Sequence, residues 1–240
     1  MSEQRAKDHR FLDKKETFLK RAYHALNDHF SSYDTFVAFF DAISGDDAKN
    51  RFLRTASFYL FLVKGGDWLL DLPDSDKRID YLTNTYKYVA IFSLIESLSE
   101  EQYIDFYQFL RSKKTPIEFP IKDKQTLDQH FKNYTQDYGS IRRCTSFFKS
   151  LGEERQRDLL SRFEIRGTEP TIENVAKYLY TMRSKFVHEG DLVLHMGKEV
   201  SIGIIDNKPV ICSLTINDAM RFFEEGLIVY FRARQPNKKS

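Results

Sequence analysis

Hydrophobic residues recur every three to four positions through most of the chain, which is the spacing of one face of an α-helix. FLDKKETFLKRAYHALNDHF carries such a stripe from Phe11 to Phe30, and YDTFVAFFDAIS carries a second. DAKNRFLRTASFYLFLVKGG carries a third and ends at a Gly-Gly pair, a favourable helix stop. DWLLDLPDSD then breaks the pattern and predicts a loop. The pattern predicts a helical N-terminal extension over residues 1–75.

The phenylalanines of this extension indicate that it packs against another surface. They are too many to remain in water without forming a large apolar patch. We therefore expect the extension to pack on the rest of the protein or on a partner. The residues that lead to this expectation are Phe36, Phe39, Phe40, Phe58 and Phe61.

Residues 76–235 continue with helical periodicity. A long apolar helix is predicted over Lys77–Leu98, and Ser99 with Gln102 predicts a capping box for another helix. KKTPIEFPI and RGTEP predict loops, and Thr171 is a plausible cap for a helix that stops at Gly190. The remaining helices of this part are predicted over Lys124–Tyr138, Ile141–Leu151 and Glu153–Phe163.

After Gly190 the hydrophobic period changes from helical to two. VSIGII and PVICSL, joined by DNK, predict a β-hairpin at about residues 199–214. Thr215 and Asp218 then open a last helix, INDAMRFFEEGLIVYFRA. Residues 236–240 are expected to form a disordered tail. The fold class predicted is all-α, with a small hairpin inserted before the final helix.

Composition agrees with this prediction and excludes some functions. The chain has 240 residues, with only 10 Gly and 6 Pro, and a formal net charge of +2. It lacks the global basic field of a nonspecific DNA-coating protein. A nucleic-acid contact would need a local patch; Arg142-Arg143 could be one, or could be a solvated helix face. There is no P-loop, dinucleotide glycine motif, zinc-ligand spacing or G-x-S-x-G, so we expect no cofactor and no metal.

Cysteine usage and the apolar runs bear on the compartment. Cys144 and Cys212 lie far apart among apolar neighbours, which predicts buried free thiols in a reducing environment. The charged N-terminus MSEQRAKDHR does not read as a signal peptide, and the longest apolar runs are too short for a membrane span. We expect a soluble cytoplasmic protein with no membrane partner. His24 and His29 are not expected to bind metal, and His195 is expected to be structural.

One short stretch carries candidate chemistry. YTMRSKFVHEGD places Arg183 near the end of a predicted helix and His188 in its last turn. An imidazole can take and return a proton near neutral pH, and a guanidinium can fork onto phosphate oxygens. Together they could serve RNA cleavage. Five residues correspond to about 140° of rotation, however, so the two side chains diverge on a regular helix.

LYTMRSKFVHEGD resembles the signature of the HEPN superfamily, and most closely that of its ApeA-like branch. KYVAIFSLIESLS resembles the first core helix of that fold, with Glu96 as its acidic residue. The resemblance covers roughly Lys77 to Arg234. It implies an up-and-down helical bundle that dimerises, and in many members a metal-independent endoribonuclease of toxin–antitoxin, phage-defence or CRISPR systems. The implied partners are RNA, a second copy of the chain and possible proteins such as an antitoxin.

The resemblance also implies roles for single residues. Arg183 would bind phosphate and His188 would transfer protons, each site drawing on both chains of the dimer. Ser184 stands where active relatives usually have Asn, Asp or His. Gly190 stands where relatives that transfer nucleotides carry Tyr, which argues against that activity. The alternative is a non-catalytic module that binds RNA or protein, in which Arg183 and His188 are buried or paired with Glu96 or Glu189.

Overall fold

The structure is a computed structural model that describes residues 10–66, 78–99, 104–112, 123–190, 194–197, 199–205 and 207–235. These residues are mostly helical, as the hydrophobic pattern predicts, and they include a small three-stranded antiparallel sheet. The expected loops over DWLLDLPDSD and KKTPIEFPI and the expected disordered tail all lie outside the described residues.

The α-helices begin and end close to the positions that the pattern predicts. In chain order they are α1 (Arg10–Asp13), α2 (Lys15–Leu26), α3 (Tyr33–Asp41), α4 (Asp46–Tyr59), α5 (Arg78–Ser97), α6 (Phe106–Ser112), α7 (Lys124–Tyr138), α8 (Ser140–Lys149), α9 (Glu153–Ser161), α10 (Ile172–Glu189) and α11 (Ile216–Arg232).

Side-chain caps explain where two of the main helices begin. The Thr171 hydroxyl accepts a hydrogen bond from the Asn174 N–H at 3.3 Å, and so caps α10. Thr215 and Asp218 form a reciprocal capping box at the start of α11, with N–H to oxygen distances of 3.1 and 3.2 Å. These contacts satisfy N–H groups that have no partner inside the helix. Both predicted caps are confirmed.

The first predicted helix is interrupted, which corrects the sequence pattern. Lys14 leaves helical geometry between α1 and α2, and a 3₁₀ turn over Asn27–His29 follows α2. The buried side-chain oxygen of Asn50 accepts from the N–H groups of Phe11 and Leu12, each at 3.0 Å. Asn50 therefore anchors the short α1 on α4, a long-range contact that local periodicity does not reveal.

A second correction concerns α6. Ser99 does not open this helix; it follows the end of α5, while Ile104 and Asp105 are not helical. Helix α6 begins at Phe106, and the Asp105 carboxylate accepts from the Gln108 N–H at 2.7 Å. Gln102, the other half of the predicted capping box, lies outside the described residues.

The sheet contains one strand more than the sequence pattern predicts. Strands β1 (Phe163–Ile165), β2 (Ser201–Ile205) and β3 (Lys208–Cys212) have the order β1-β3-β2, and both pairs are antiparallel. The β2–β3 hairpin is confirmed, and Asn207 in its turn has a φ of 62°. Strand β1 was missed because it has three residues, which the pattern assigned partly to the end of a helix.

One hydrophobic core contains side chains from the N-terminal helices and from the later bundle. Helix α5 packs against α8, α10 and α11. Phe52 of α4 meets Phe231 of α11 with ring centroids 5.2 Å apart, and Tyr59 meets Phe223 at 4.9 Å. Phe36, Phe39 and Phe40 are buried as expected. Two other phenylalanines are only partly covered within the chain: Phe58 is 42% exposed and Phe61 56% exposed.

Candidate functional site

Helix α10 carries the Arg–His motif on a firmly held segment. Its buried face, which includes Val175, Leu179 and Met182, packs on α8 and α5. The Tyr88 hydroxyl of α5 donates to the backbone carbonyl of Leu179 and adds a polar tie between the two helices. At its end, Gly190 adopts the left-handed conformation with a φ of 69°, which suits glycine and stops the helix as predicted.

Arg183 is held by the acid that the family resemblance singles out. Its Nη2 atom lies 3.4 Å from Glu96 Oε2 and 3.4 Å from the Ser93 hydroxyl. The two charged side chains are only partly exposed, at 16% for Arg183 and 20% for Glu96. The Arg183 guanidinium also lies over the Tyr180 ring, 5.7 Å from its centroid. The fold therefore brings together Arg183 and Glu96, which are far apart in sequence.

His188 and Ser184 do not join this contact. His188 is exposed and Ser184 is partly buried, and among the described residues neither side chain has a hydrogen bond or ion pair. Helix α10 remains α-helical to Glu189, so the helix end does not bend the pair together. About 140° of rotation still separates positions 183 and 188. Within one chain, Arg183 and His188 form no common site.

The surroundings of Arg183 include other polar groups and a buried thiol. Burial raises the pKa of Cys144, and the charge of Glu96 raises it further, while Arg183 and Arg143 act in the opposite direction. Burial also raises the pKa of the Tyr180 hydroxyl, which lies near Ser140 and Glu96. Because the charges of Glu96, Arg183 and Arg143 all act on the pKa of Cys144, these three side chains lie in one neighbourhood. Cys144 and Cys212 are both buried and free, as expected.

A second polar cluster, centred on Glu224 of α11, was missed by sequence reasoning. Glu224 Oε1 accepts from the Tyr59 hydroxyl at 2.6 Å, and Oε2 lies 2.7 Å from His29 Nε2. Lys64 Nζ lies 3.3 Å from Oε1 and 3.0 Å from Asp28 Oδ2. The cluster joins the N-terminal helices to the last helix. His29, for which the sequence pattern predicts no metal-binding role, is one of its members.

The charge state of this cluster follows from its contacts. Burial alone raises the pKa of Glu224, but hydrogen bonds from His29 and Tyr59 and the charge of Lys64 outweigh burial, so the net pKa is lowered. Burial, with the Glu224 charge, raises the pKa of Tyr59 well above its usual value. Glu224 is thus an ionised carboxylate with only 8% of its side chain exposed, and Tyr59 is a neutral donor.

The cleft beside Glu224 has mixed charge, and its charges are paired within the chain. Arg155 Nε lies 2.7 Å from Glu225 Oε2, and Arg221 Nη2 lies 2.7 Å from Asp158 Oδ2. Together with the Lys64 contacts, these pairs leave no excess of one sign to attract a charged substrate. We interpret the Glu224 cluster as a polar brace between the N-terminal extension and α11, not as a catalytic centre.

Neither a metal-binding cluster nor a membrane-spanning helix occurs among the residues that the structure describes. No group of three or more His, Cys, Asp or Glu side chains there could hold a metal ion. None of the helices in that part of the chain has the length and apolar character needed to cross a membrane. Comparison with protein-family models, with curated proteins and with solved structures gave no match.

Proposed function

We propose that this chain is a HEPN-like, metal-independent endoribonuclease that acts in the cytoplasm as a homodimer. The observation that carries the proposal is that the two segments of the resemblance lie side by side, with Arg183 of α10 3.4 Å from Glu96 of α5. The resemblance rests on two separate segments, an early helix with an acid and a later helix with Arg and His. Because the acid of the first segment touches the arginine of the second, these segments form one local arrangement.

The Glu96 contact leaves Arg183 able to bind a phosphate. A guanidinium has five N–H donors, and both hydrogen bonds to Glu96 and Ser93 use Nη2 alone, at the long distance of 3.4 Å. Arg183 Nη1 takes part in neither of these contacts, so its N–H groups remain able to donate. Glu96 therefore orients the guanidinium while donors remain for a second anion.

In a dimer, Arg183 of one copy could lie near His188 of the other, although the two side chains diverge on one helix. The surface around His188 includes exposed apolar side chains: Val187 is 46% exposed, Tyr86 50% and Leu82 39%. Tyr86 contacts Phe186 edge to face with ring centroids 5.5 Å apart, so these residues form a neighbouring apolar surface. A second copy that covers this surface would bring its own Arg183 or His188 toward the first.

The reaction in such a composite site uses the 2′-hydroxyl of RNA as nucleophile. His188 accepts the proton of this hydroxyl while its oxygen attacks the adjacent phosphorus, and the bond from phosphorus to the 5′-oxygen breaks. The leaving oxygen takes a proton from an imidazolium or from water. Arg183 stabilises the extra negative charge on the phosphorane. The products are a 2′,3′-cyclic phosphate and a 5′-hydroxyl. A toxin controlled by an antitoxin protein, or a phage-defence nuclease, is the corresponding class.

A second candidate function is a non-catalytic module that binds RNA or protein. The specific observation in its favour is the same Arg183–Glu96 pair, because an arginine paired within its own chain and only 16% exposed is what a structural role predicts. Ser184, at the position where active relatives usually have Asn, Asp or His, also favours this candidate.

Incubation of the purified protein with a mixed RNA pool in EDTA separates the two candidates. A nuclease should leave 2′,3′-cyclic phosphate ends and should not cut DNA, which lacks the nucleophile. His188→Ala should abolish cleavage and leave the fold intact, because an exposed histidine in a last helical turn contributes about 0.3–1 kcal/mol. Arg183→Lys should not restore full activity, because an ammonium cannot form the bidentate contact.

Equal cleavage by wild type and His188→Ala would refute this site. RNA or protein binding without cleavage would establish the second candidate.

The dimer is tested separately by light scattering at micromolar concentration. Val187→Glu should convert a dimer to a monomer, because it places a charge on the proposed apolar interface. Val200→Glu is the matched control, since Val200 is also exposed, at 53%, and lies beside the hairpin. A wild-type monomer, or a dimer that Val187→Glu leaves intact, would contradict the proposed interface.

A further inference from the structure

A cleft of about 470 Å³ lies between the C-terminal ends of α5 and α11 and one side of α8. His188 is not among the residues that line it. Three guanidinium side chains line it: Arg142 and Arg143 from α8, and Arg234 just after α11. No carboxylate is among the described residues that line it. The cleft therefore has the charge of an anion-binding site.

Arg143 is the side chain that most requires a ligand. Its Nε and Nη2 atoms are buried and have no hydrogen-bond partner among the described residues. A buried donor on a charged group destabilises the folded protein when its hydrogen bond is not formed. The carboxylate that shares its neighbourhood, Glu96, is engaged by Arg183. Arg143 lines the cleft, so an oxyanion bound there would offset the charge of its guanidinium.

Arg234 is preorganised at the opposite wall. Its Nη1 donates to the Tyr230 carbonyl at 3.0 Å, and its Nη2 donates to the Tyr230 hydroxyl at 2.8 Å. Its guanidinium carbon lies 3.7 Å from the centroid of the Tyr230 ring. The Tyr230 hydroxyl in turn donates to the Leu98 carbonyl at the end of α5. A cation held this way loses little freedom when it meets an anion.

The other residues that line the cleft indicate which kind of molecule carries the anionic group. Ile95, Leu98 and Phe147 form an apolar surface, and Ser146 and Ser150 add hydroxyl groups beside the arginines. A flat heterocycle can lie on such a surface, and a sugar can meet the hydroxyls. The volume falls within the range of about 300–1,000 Å³ that is typical of small-ligand sites.

We propose that this cleft binds a nucleoside phosphate, with the phosphate at Arg143 and Arg234 and the base against the apolar wall. The nucleotide is either free or one unit of an RNA strand, since both present the same phosphate, sugar and base. The inference goes beyond the proposed cleavage site, because the cleft has arginines of its own and neither Arg183 nor His188 lines it. Its failure would leave the nuclease proposal untouched, and loss of cleavage would leave this one untouched.

Calorimetric titration of the full chain tests the proposal. The probes are the four ribonucleoside 5′-monophosphates, adenosine, inorganic phosphate, and a ten-nucleotide RNA carrying 2′-O-methyl groups so that it cannot be cleaved. We expect saturable binding of a monophosphate or of the RNA. Adenosine should bind at least about tenfold more weakly than its monophosphate, because it lacks the charge-assisted contacts. Binding of monophosphates identifies a free nucleotide as the ligand, and binding of the RNA alone identifies a strand unit.

Variants locate the binding. Arg143→Met removes the buried guanidinium and should weaken binding about tenfold or more. Ser146→Glu does the same by placing a carboxylate in the cleft at an exposed position, so it reports even if Arg143→Met fails to fold. Arg157→Met, at an exposed position of α9 outside the cleft, should bind as wild type does. Absence of binding by every probe, equal binding of adenosine and its monophosphate, or full binding by Ser146→Glu would overturn the proposal.

Discussion

Removal of the Glu224 carboxylate should destabilise the protein more than removal of its neighbour Glu225. The variant Glu224→Ala deletes the acceptor of two short hydrogen bonds, 2.6 Å from the Tyr59 hydroxyl and 2.7 Å from His29 Nε2. It also deletes the anion 3.3 Å from Lys64 Nζ. What remains is a buried Tyr59 hydroxyl with no carboxylate to accept its hydrogen bond.

The size of the effect follows from burial. Loss of one partner from a fully buried ion pair costs about 3–5 kcal/mol. The side chains of His29 and Lys64 are 20% and 23% exposed, so water compensates them in part. Lys64 also keeps its contact with Asp28 at 3.0 Å. We therefore expect Glu224→Ala to lower the free energy of unfolding by about 3 kcal/mol, at the lower end of that range.

Glu225→Ala is the matched control on the same helix. Glu225 pairs with Arg155 at 2.7 Å, but the Arg155 side chain is 37% exposed. Partly exposed pairs of this kind contribute about 0–1 kcal/mol. Urea unfolding followed by circular dichroism measures both variants. Equal effects of the two substitutions, or less than about 1 kcal/mol for Glu224→Ala, would refute the interpretation of Glu224 as a brace.

The same carboxylate predicts a dependence of stability on pH. The pKa of Glu224 is lower in the folded protein than its ordinary value, so its contribution is fully present above the unfolded pKa of about 4.3. This contribution is lost as the pH falls through the lowered folded pKa. Unfolding measured between roughly pH 3 and 7 should show a smaller loss of stability in acid for Glu224→Gln than for wild type. Parallel pH profiles would contradict this reasoning.

Two further predictions concern the core. A methyl group at Gly226 would lie 2.3 Å from the Phe147 ring, so Gly226→Ala should lower stability by about 1–2 kcal/mol after its better helix propensity is counted. Gly152→Ala, whose added methyl meets nothing within 4 Å, is the control, and thermal unfolding compares the two. Cys144 and Cys212 are buried, and burial raises the pKa of Cys212 to about 11, so neither should react with Ellman's reagent until denaturant is added. Rapid labelling of the native protein would show that the thiols are accessible.

Much of the fold could be predicted from the sequence because its signals are local. Thr171 and Gly190 bound α10 through contacts made within one helical turn, and a hydrophobic period of two is enough to place the β2–β3 hairpin. Where a long-range contact competes, local reasoning fails. Asn50 anchors α1 from α4, and the short β1 exists because Phe163, Glu164 and Ile165 find partners on β3.

The candidate sites divide in the same way. Arg183 and His188 could be found in the sequence because their residue types and spacing suggest chemistry without any partner. The position of Glu224 in the apolar stripe FFEEGL was a visible irregularity, but the sequence could not show that His29, Tyr59 and Lys64 converge on it. Such convergence depends on how helices pack, which is a property of the whole core.

The sequence by itself determined most of the helices, the caps of α10 and α11, the hairpin and the presence of an Arg–His motif, since each depends on residues close together in the chain. Only the tertiary structure decided that Arg183 meets Glu96 while His188 stays exposed, and that Arg143 and Arg234 share a cleft. The physical reason is that a charged side chain's partner is set by distance in space. Helices separated by many residues are brought within hydrogen-bond reach only when their apolar faces are buried together.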